Sequence, residues 1–501
     1  MPQRNAAIFL LVLILLSGSL ALLRFDSLQL GASYDDAKYI ILAESLSSGQ
    51  GYQLTNFPRP QIERNFPPGW PLILAPFTLA FPKNYDALKV VSLLLWLGTI
   101  PLVYNLFSKR INSPHLEILT AFVALNPLLI GTSVTVMSES AYLFFSLLAL
   151  LVFDKTNGKN IGWILLTILL TLLTQQIRTI GIALTISLLV ILFLSRRYKD
   201  LGIAIAIFAI GFLLQGWFNL RNGGTVISSG YEAQVLSGSI MEKLNQVWSN
   251  LIGYADTVLA GSLLPIFGTQ LDSMFGGVFI ILNGLILVVL GIGFFNVKPK
   301  MEWLHLYFFI YTAGILAFWN PQVGSVKVRF LIPVLPFLYF YFLVGAKWVS
   351  EKIFTNSLKI ATRSLFMVVI FIGATLIARN LLDWQNPVRE QMTDLSIGAS
   401  WIAENSPADS IVMVNEPVPA YVHVKRRTIN FPKNDQGLEF YLNNQRIDYI
   451  IIAPLLQSPK RFEWSKDAKA IQARVEALPD IFKLVFEDKE NNVRVYQYIG
   501  Q

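Results

Sequence analysis

Apolar residues in this chain gather in runs too long and too free of charge for a water-soluble core. The first run, 6–23, has 18 residues. At a rise of about 1.5 Å per residue it reaches roughly 27 Å, close to the thickness of a bilayer's hydrocarbon. Ten further runs follow at 90–107, 116–136, 137–153, 161–173, 180–194, 201–217, 276–295, 303–319, 330–349 and 365–377. They predict a polytopic α-helical membrane protein with about eleven transmembrane helices. Composition agrees: of 501 residues, 54% are hydrophobic and 14% charged, against about 25% charged in soluble domains. Arg4 precedes the first run, as in a signal peptide. The apolar core of a cleaved signal is shorter, about 7–15 residues, so 6–23 reads as an uncleaved first helix.

Orientation follows from positive charge in short connections. Alternate connections carry Lys109–Arg110, Lys155 with Lys159, Arg196–Arg197 with Lys199, Lys298 with Lys300, and Lys347 with Lys352 and Lys359. Arg4 belongs to the same set, which makes the N-terminus cytoplasmic. The opposite connections are nearly bare, apart from Arg178, Lys327 and Arg329. With an odd number of spans, three long segments fall on the other face: 24–89, 218–275 and the tail 381–501. The tail is richer in charge and has shorter apolar runs. An amphipathic helix at 392–404, buried strands at 410–414 and 448–452, a helix at 466–477 and a hairpin around Asn491–Asn492 predict a small α/β extracytoplasmic domain. The expected division is therefore a membrane domain, 1–380, and a C-terminal domain, 381–501. The stretches 416–419 and 423–427 read as solvated loops, with contact to an acceptor as the alternative.

The net charge of +8 does not point to nucleic acid, because Lys and Arg collect in the short connections. There is no cysteine, which removes disulfides, thiolate metal sites and a cysteine nucleophile. His115, His305 and His423 lie far apart and do not read as metal ligands.

An ionisable residue at bilayer depth costs about 2.5–3.5 kcal/mol on insertion scales, so it tends to line a polar cavity. Four places qualify. Asp35 and Asp36 begin a helical stripe with Tyr39, Ala43 and Leu46, just beyond the first helix; the alternative is that Asp35 only caps that helix. Asn65-Phe66-Pro67-Pro68-Gly69-Trp70-Pro71 is dense in proline and predicts a rigid extended turn. Glu139 sits in an apolar stretch, either capping the next helix or facing the same cavity as Asp35. Arg178, Lys327 and Arg329 break the positive-inside pattern. An anionic partner such as a phosphate would account for them; so would a local carboxylate or a lipid headgroup. Acids and cations from separate helices on one face fit a reaction with a phosphate leaving group. The carboxylate would accept the nucleophile's proton and the cations would stabilise charge on the departing group.

At these residues the sequence resembles the GT-C glycosyltransferases, and among them bacterial relatives of the dolichyl-phosphate-mannose protein mannosyltransferases (glycosyltransferase family 39). The resemblance rests on Asp35-Asp36 with Tyr39, Ala43 and Gly49-Gln50-Gly51, on Pro67-Pro68-Gly69-Trp70-Pro71, on Met137-Ser138-Glu139, and on Arg329-Phe330-Leu331-Ile332-Pro333. It implies a GT-C-like membrane domain in a cell membrane and a polyprenyl-phosphate donor carrying one sugar. The acceptor would be a protein, lipid or glycan outside the cytoplasm, with inversion at the anomeric carbon. Asp35 and Asp36 then match the catalytic acids, although the second is often Glu. Tyr39, Glu139, Arg178, Lys327 and Arg329 would bind substrate. Some enzymes of the group use a divalent metal and others none. Two rivals stand beside this reading, a transporter or lipid flippase and a structural assembly protein. Transporters tend to show pseudo-symmetric halves, which this sequence lacks.

Overall fold

The protein is described by a computed structural model covering residues 3–155, 160–221, 239–255, 259–265, 269–297, 302–319, 328–355, 357–385, 393–432, 437–453 and 466–500. From the N-terminus, α1 (Gln3–Leu23) leads to α2 (Asp35–Ser47), a short antiparallel pair β1 (Gln53–Leu54) and β2 (Gln61–Ile62), and α3 (Gly69–Ala80). Next come α4 (Asp86–Phe107), α5 (His115–Ala124), α6 (Pro127–Ser133), α7 (Glu139–Phe153), α8 (Ile161–Ile177), α9 (Ile182–Leu194) and α10 (Tyr198–Arg221). The bundle is completed by α11 (Ile240–Gly253), α12 (Leu259–Leu263), α13 (Thr269–Asn296), α14 (Trp303–Phe318), a 3-10 segment (Val328–Val334), α15 (Leu335–Ile353) and α16 (Leu358–Gln385).

Five of these helical segments are long and apolar enough to cross a membrane: Arg4–Leu23, Asp86–Phe107, Tyr198–Arg221, Val328–Ile353 and Lys359–Gln385. The expected run 116–136 is two helices, α5 and α6, bent by 47° and together long enough for a sixth span. The break has a local cause. Pro127 has no N–H to continue α5, and the Asn126 side chain accepts from Leu128 N (2.9 Å) to start α6. The Asn126 amide also donates to Ser262 O and Tyr339 Oη, each at 3.0 Å. The other expected runs fall in apolar helical stretches of 10–17 residues, the one in α13 being Ile280–Asn296. Apolar side chains such as Leu15, Leu213 and Phe371 are exposed on α1, α10 and α16. Inside the bundle, hydroxyls pair with indoles, Ser17 with Trp96 (3.0 Å) and Ser187 with Trp303 (2.8 Å). Apolar outside and polar contacts inside is the distribution that lipid demands.

The proline-rich stretch differs from its expectation. It does not stay extended: α3 begins at Gly69, with Pro71 in its first turn. A proline there forfeits only an N–H that has no helical partner anyway.

Beyond α16 lie α17 (Thr393–Asn405), β3 (Ile411–Met413), α18 (Pro417–Val424), β4 (Arg427–Ile429), α19 (Leu438–Gln445), β5 (Tyr449–Ile452), α20 (Lys466–Glu476), β6 (Phe482–Asp488) and β7 (Val493–Tyr498). The strands form one sheet in the order β4-β3-β5-β7-β6. β3 is parallel to both β4 and β5, and β7 is antiparallel to both β5 and β6. Alternation along the strands separates two cores. Ile411, Met413, Ile450 and Ile452 pack with α19 and α20. Val412, Val414, Ile451 and Val495 pack with α17 and α18. The expectation of loops at 416–419 and 423–427 is corrected: Pro417–Val424 is helical, and Arg427 opens β4. Pro417 and Pro419 again occupy a first turn, where their missing donors cost nothing.

α18 seats on the segment before α2. His423 Nε2 lies 2.8 Å from Leu30 O. Gly31 has φ +84°, and a Cβ there would lie 3.1 Å from the Pro419 carbonyl. Tyr421 Oη donates to Glu44 Oε2 at 2.8 Å, which fixes the far end of α2.

Candidate functional site

Asp35 is the first residue of α2. Its predecessor Tyr34 has φ 62° and ψ −49°, a γ-turn of positive φ closed by Asp35 N donating to Ser33 O at 2.7 Å, which is rare and strained. Such strain persists where surrounding structure imposes it, and it clusters at functional sites. Asp35 Oδ2 accepts from Arg329 Nη2 at 2.9 Å. Asp36, expected to share a catalytic role, has a different partner. It is buried, and its Oδ2 accepts from Gly31 N at 2.8 Å, closing the turn before α2. Burial lifts its pKa to about 6, partly offset by the Gly31 N–H.

Glu139 opens α7, where a carboxylate complements the helix dipole. It is buried and pairs with Arg178 at 2.5 Å; Arg329 Nε stands 4.0 Å from the same oxygen. Arg178 occupies the junction of α8 and α9, and its Nη1 donates to Ser138 Oγ at 3.2 Å. Tyr39 Oη lies 3.2 Å from that hydroxyl. Asp35, Tyr39, Glu139, Arg178 and Arg329 therefore meet in one cluster, through Ser138. The side chains of Asp35 and Arg329 remain 22% and 38% exposed, against 1% for Glu139. The cluster is thus open on its Asp35–Arg329 side and closed beneath. Lys327 lies outside the described residues.

Neighbouring segments hold these parts in register. The start of α3 wedges between the approaches to Glu139 and Arg178. Trp70 Nε1 donates to Val136 O at 2.9 Å. A Cβ at Gly69 would lie 2.6 Å from Gln176 backbone, so only glycine allows the approach. Tyr311 Oη donates to Phe330 O at 2.8 Å and steadies the Arg329 segment. Ser138 and Tyr311 had no role from sequence. Ser138 adjoins Glu139 and lies in the Met137-Ser138-Glu139 motif, which was its legible signal; Tyr311 had none.

The loops grouped by charge also separate in space. Arg110, Asp154 and Glu302, from the Lys/Arg-rich connections, form their own cluster, with Arg110 at 2.9 Å from Asp154 and 2.5 Å from Glu302. The Asp35 cluster draws only on the opposite connections.

A cavity of about 630 Å³ opens between Leu30, Lys83, Tyr85, Glu404 and His423. None of its lining residues belongs to the Asp35 cluster, so it is a separate hollow between α18 and the membrane part. The clustered side chains do not fit a metal site. Asp35 and Glu139 each engage a guanidinium, and among the described residues no three His, Asp or Glu side chains come together as ligands.

No protein-family model matches the sequence, and no curated protein does either. Solved structures do match the fold. ArnT from Cupriavidus metallidurans bound to undecaprenyl phosphate aligns with a TM-score of 0.60 at 12% identity, over 100% of this chain and 99% of that one. The Archaeoglobus fulgidus oligosaccharyltransferase in complex with Zn and sulfate aligns with a TM-score of 0.57 at 14% identity, over 88% of this chain and 67% of that one. The chain shares the GT-C fold of these structures. At these identities the likeness is one of fold, and the chemistry must be argued from this chain's own residues.

Proposed function

We propose that this protein is an integral-membrane glycosyltransferase that moves a single sugar from a polyprenyl-phosphate donor to an acceptor outside the cytoplasm. The observation that carries the reading is the cluster of Asp35, Glu139, Arg178 and Arg329 at one end of a GT-C fold. The ArnT structure's undecaprenyl phosphate and the oligosaccharyltransferase tethered to an acceptor peptide support the donor class and an acceptor of protein or glycan type. Asp35 is the base. As the acceptor's oxygen or nitrogen attacks the anomeric carbon, its proton passes to the Asp35 carboxylate. The bond from that carbon to the phosphate oxygen breaks, and the phosphate leaves with the electron pair. Attack opposite the leaving group inverts the centre. Arg329 and Arg178 stabilise the departing charge, with Lys327 assigned to the same group. Glu139 keeps Arg178 in place, Tyr39 orients Ser138, and Asp36 shapes the turn.

Arg329 bonded to Asp35 makes a masked base. A phosphate offers Arg329 a bidentate partner. Its arrival draws the guanidinium off Asp35 and frees the carboxylate as the donor seats. Lys and Arg in alternate short connections support a cytoplasmic N-terminus, and about eleven spans, an odd number, would put residues 381–501 on the side where transfer occurs.

Purified protein incubated with a panel of polyprenyl-phosphate sugars is expected to release polyprenyl phosphate with at least one of them. A flippase would move the lipid without breaking the sugar–phosphate bond. Asp35→Asn is expected to lower turnover by about 10²–10⁴-fold, the usual worth of a general base. Arg329→Ala is expected to weaken donor binding by about tenfold or more. Wild-type turnover in Asp35→Asn removes the residue from the mechanism.

A further inference from the structure

Helix α11 is amphipathic in an unusual sense. At 100° per residue, Ile240, Met241, Leu244, Trp248, Leu251 and Ile252 fall within an arc of about 120°, and all six are exposed. Glu242, Asn245 and Ser249 fall on the adjoining arc. The arc beyond that faces protein. Gln246 Nε2 donates to Ala317 O (3.0 Å) and Trp319 O (2.6 Å), and Asn250 Nδ2 donates to Leu316 O (2.8 Å) and Trp319 O (2.7 Å). These carbonyls end α14, where the helix has no further donors of its own to satisfy them. The two carboxamides therefore fasten α11 across that end, with the apolar arc turned away from the protein.

We propose that α11 docks its apolar arc into the lipid leaflet on the Asp35 side of the bundle and, through Trp319, sets the Arg329 segment. A lipid surface is the occupant because three environments are needed around one helix, and a bilayer boundary beside a protein supplies them together: acyl chains for the apolar arc, water for Glu242 and Ser249, protein for Gln246 and Asn250. The end of α10, earlier in the chain, carries apolar exposure of the same kind. Leu213, Leu214, Trp217 and Leu220 are exposed along the last turns of α10, and Phe218 there lies ring to ring with Tyr52 at 6.4 Å, near the first connection. The link to the cluster is direct. The Trp319 ring lies 4.9 Å from the Phe330 ring, and the Arg329 guanidinium lies 5.5 Å from that same ring. Docking thus bears on the residue assigned to the donor phosphate. That last link rests on the proposed function, whereas the docking itself does not.

The absence of native cysteine makes the test clean. Leu244→Cys, Leu251→Cys and Ser249→Cys, each carrying a nitroxide, are reconstituted in vesicles of phosphatidylethanolamine and phosphatidylglycerol. Accessibility to oxygen and to a water-soluble nickel chelate is then measured. Labels at 244 and 251 are expected to collide with oxygen several-fold more than with nickel, and the label at 249 is expected to show the reverse. Nickel access at 244 equal to that at 249 overturns the docking. So does shielding from both reagents, which would mean that a second copy or another protein covers the arc. A nitroxide at Val328→Cys reads the coupling: Gln246→Leu with Asn250→Leu is expected to raise its mobility. Unchanged mobility overturns the coupling. Neither measurement depends on activity, so a failure here is distinct from a failure of the transferase reading.

Discussion

The Asp36 carboxyl is buried, one oxygen takes the Gly31 N–H, and its pKa stands near 6 rather than at the ordinary 3.8. Between about pH 4 and pH 6 the folded protein therefore holds a proton that the unfolded chain has released. Stability from this residue falls as pH rises through that window and is level above it. Asp36→Asn keeps an acceptor for Gly31 without a charge to bury. Relative to wild type, its melting temperature in detergent is expected to gain between pH 4.5 and pH 7.5, with equality or better at the higher pH. Asp36→Ala, which strands the Gly31 N–H, is expected to melt lower at both. An Asp36→Asn difference that does not change with pH counts against the buried titration. Asp35, one residue away, faces Arg329 instead. Sequence could name Asp35, Glu139, Arg178 and Arg329 because ionisable groups stand out against apolar surroundings. It could not assign partners, since Asp35 and Arg329 are 294 positions apart. Ser138 and Tyr311 escaped because a hydroxyl in a membrane helix is ordinary and can bond its own backbone.

Runs of apolar residues made most helices of the bundle legible, as short β-branched buried stretches did for β3 and β5 and a hairpin pattern for β6 and β7. What the pattern could not give is how two helices meet. α13 and α15 cross at Gly293 and Gly345, where a Cβ on Gly293 would lie 1.9 Å from Tyr341 O and one on Gly345 2.0 Å from Val289 O. Small residues let membrane helices approach this closely, but nothing in the neighbourhood of either glycine names the other. The proline-led helices α3 and α18 were hidden for another reason. Proline disfavours a helix interior, although α3 and α4 hold Pro76 and Pro101 there, and favours a helix start, and composition alone does not tell the two apart. Because backbone atoms rather than side-chain tips stand in the way at the crossing, Gly345→Ala must push the helices apart. Overpacking costs typically about 1–3 kcal/mol, and here the helix that moves follows directly from the Arg329 segment. A lower melting temperature and weaker donor binding are expected together. Gly284→Ala on α13, with nothing within 4 Å, is the control and should melt at or above wild type. Equal behaviour of the two alanine variants would remove the crossing as a constraint.

Over the whole molecule, the segment 417–428 and the first connection brace α2 from both ends. Near its start, Pro419 backs Gly31 and His423 meets Leu30 O. Near its end, Glu44 takes Tyr421 and Tyr85 hydroxyls at 2.8 and 2.9 Å and pairs with Lys83 at 3.3 Å. Asn56 and Thr428 exchange a further bond, Thr428 N to Asn56 O at 2.7 Å. None of this was legible, because contacts between residues nearly 400 apart leave no local pattern, and 416–419 and 423–427 read as loops. The brace makes residues remote from Arg178 and Arg329 matter to Asp35. Gly31→Ala isolates the effect. The new methyl, four residues before the start of the helix that carries the proposed base, presses on Pro419, while the cations are untouched. A displacement of about 1 Å at a reacting group can cost up to 100-fold, so turnover is expected to fall by about ten- to a hundredfold with donor affinity unchanged. Backbone strain alone is controlled by Gly51→Ala. Gly51 has φ +88°, close to the +84° of Gly31, and nothing within 4 Å. Its variant carries the same left-handed penalty without the push and should keep most of its turnover. If the two substitutions lower turnover equally, strain in the connection explains the loss and the brace does not act on Asp35.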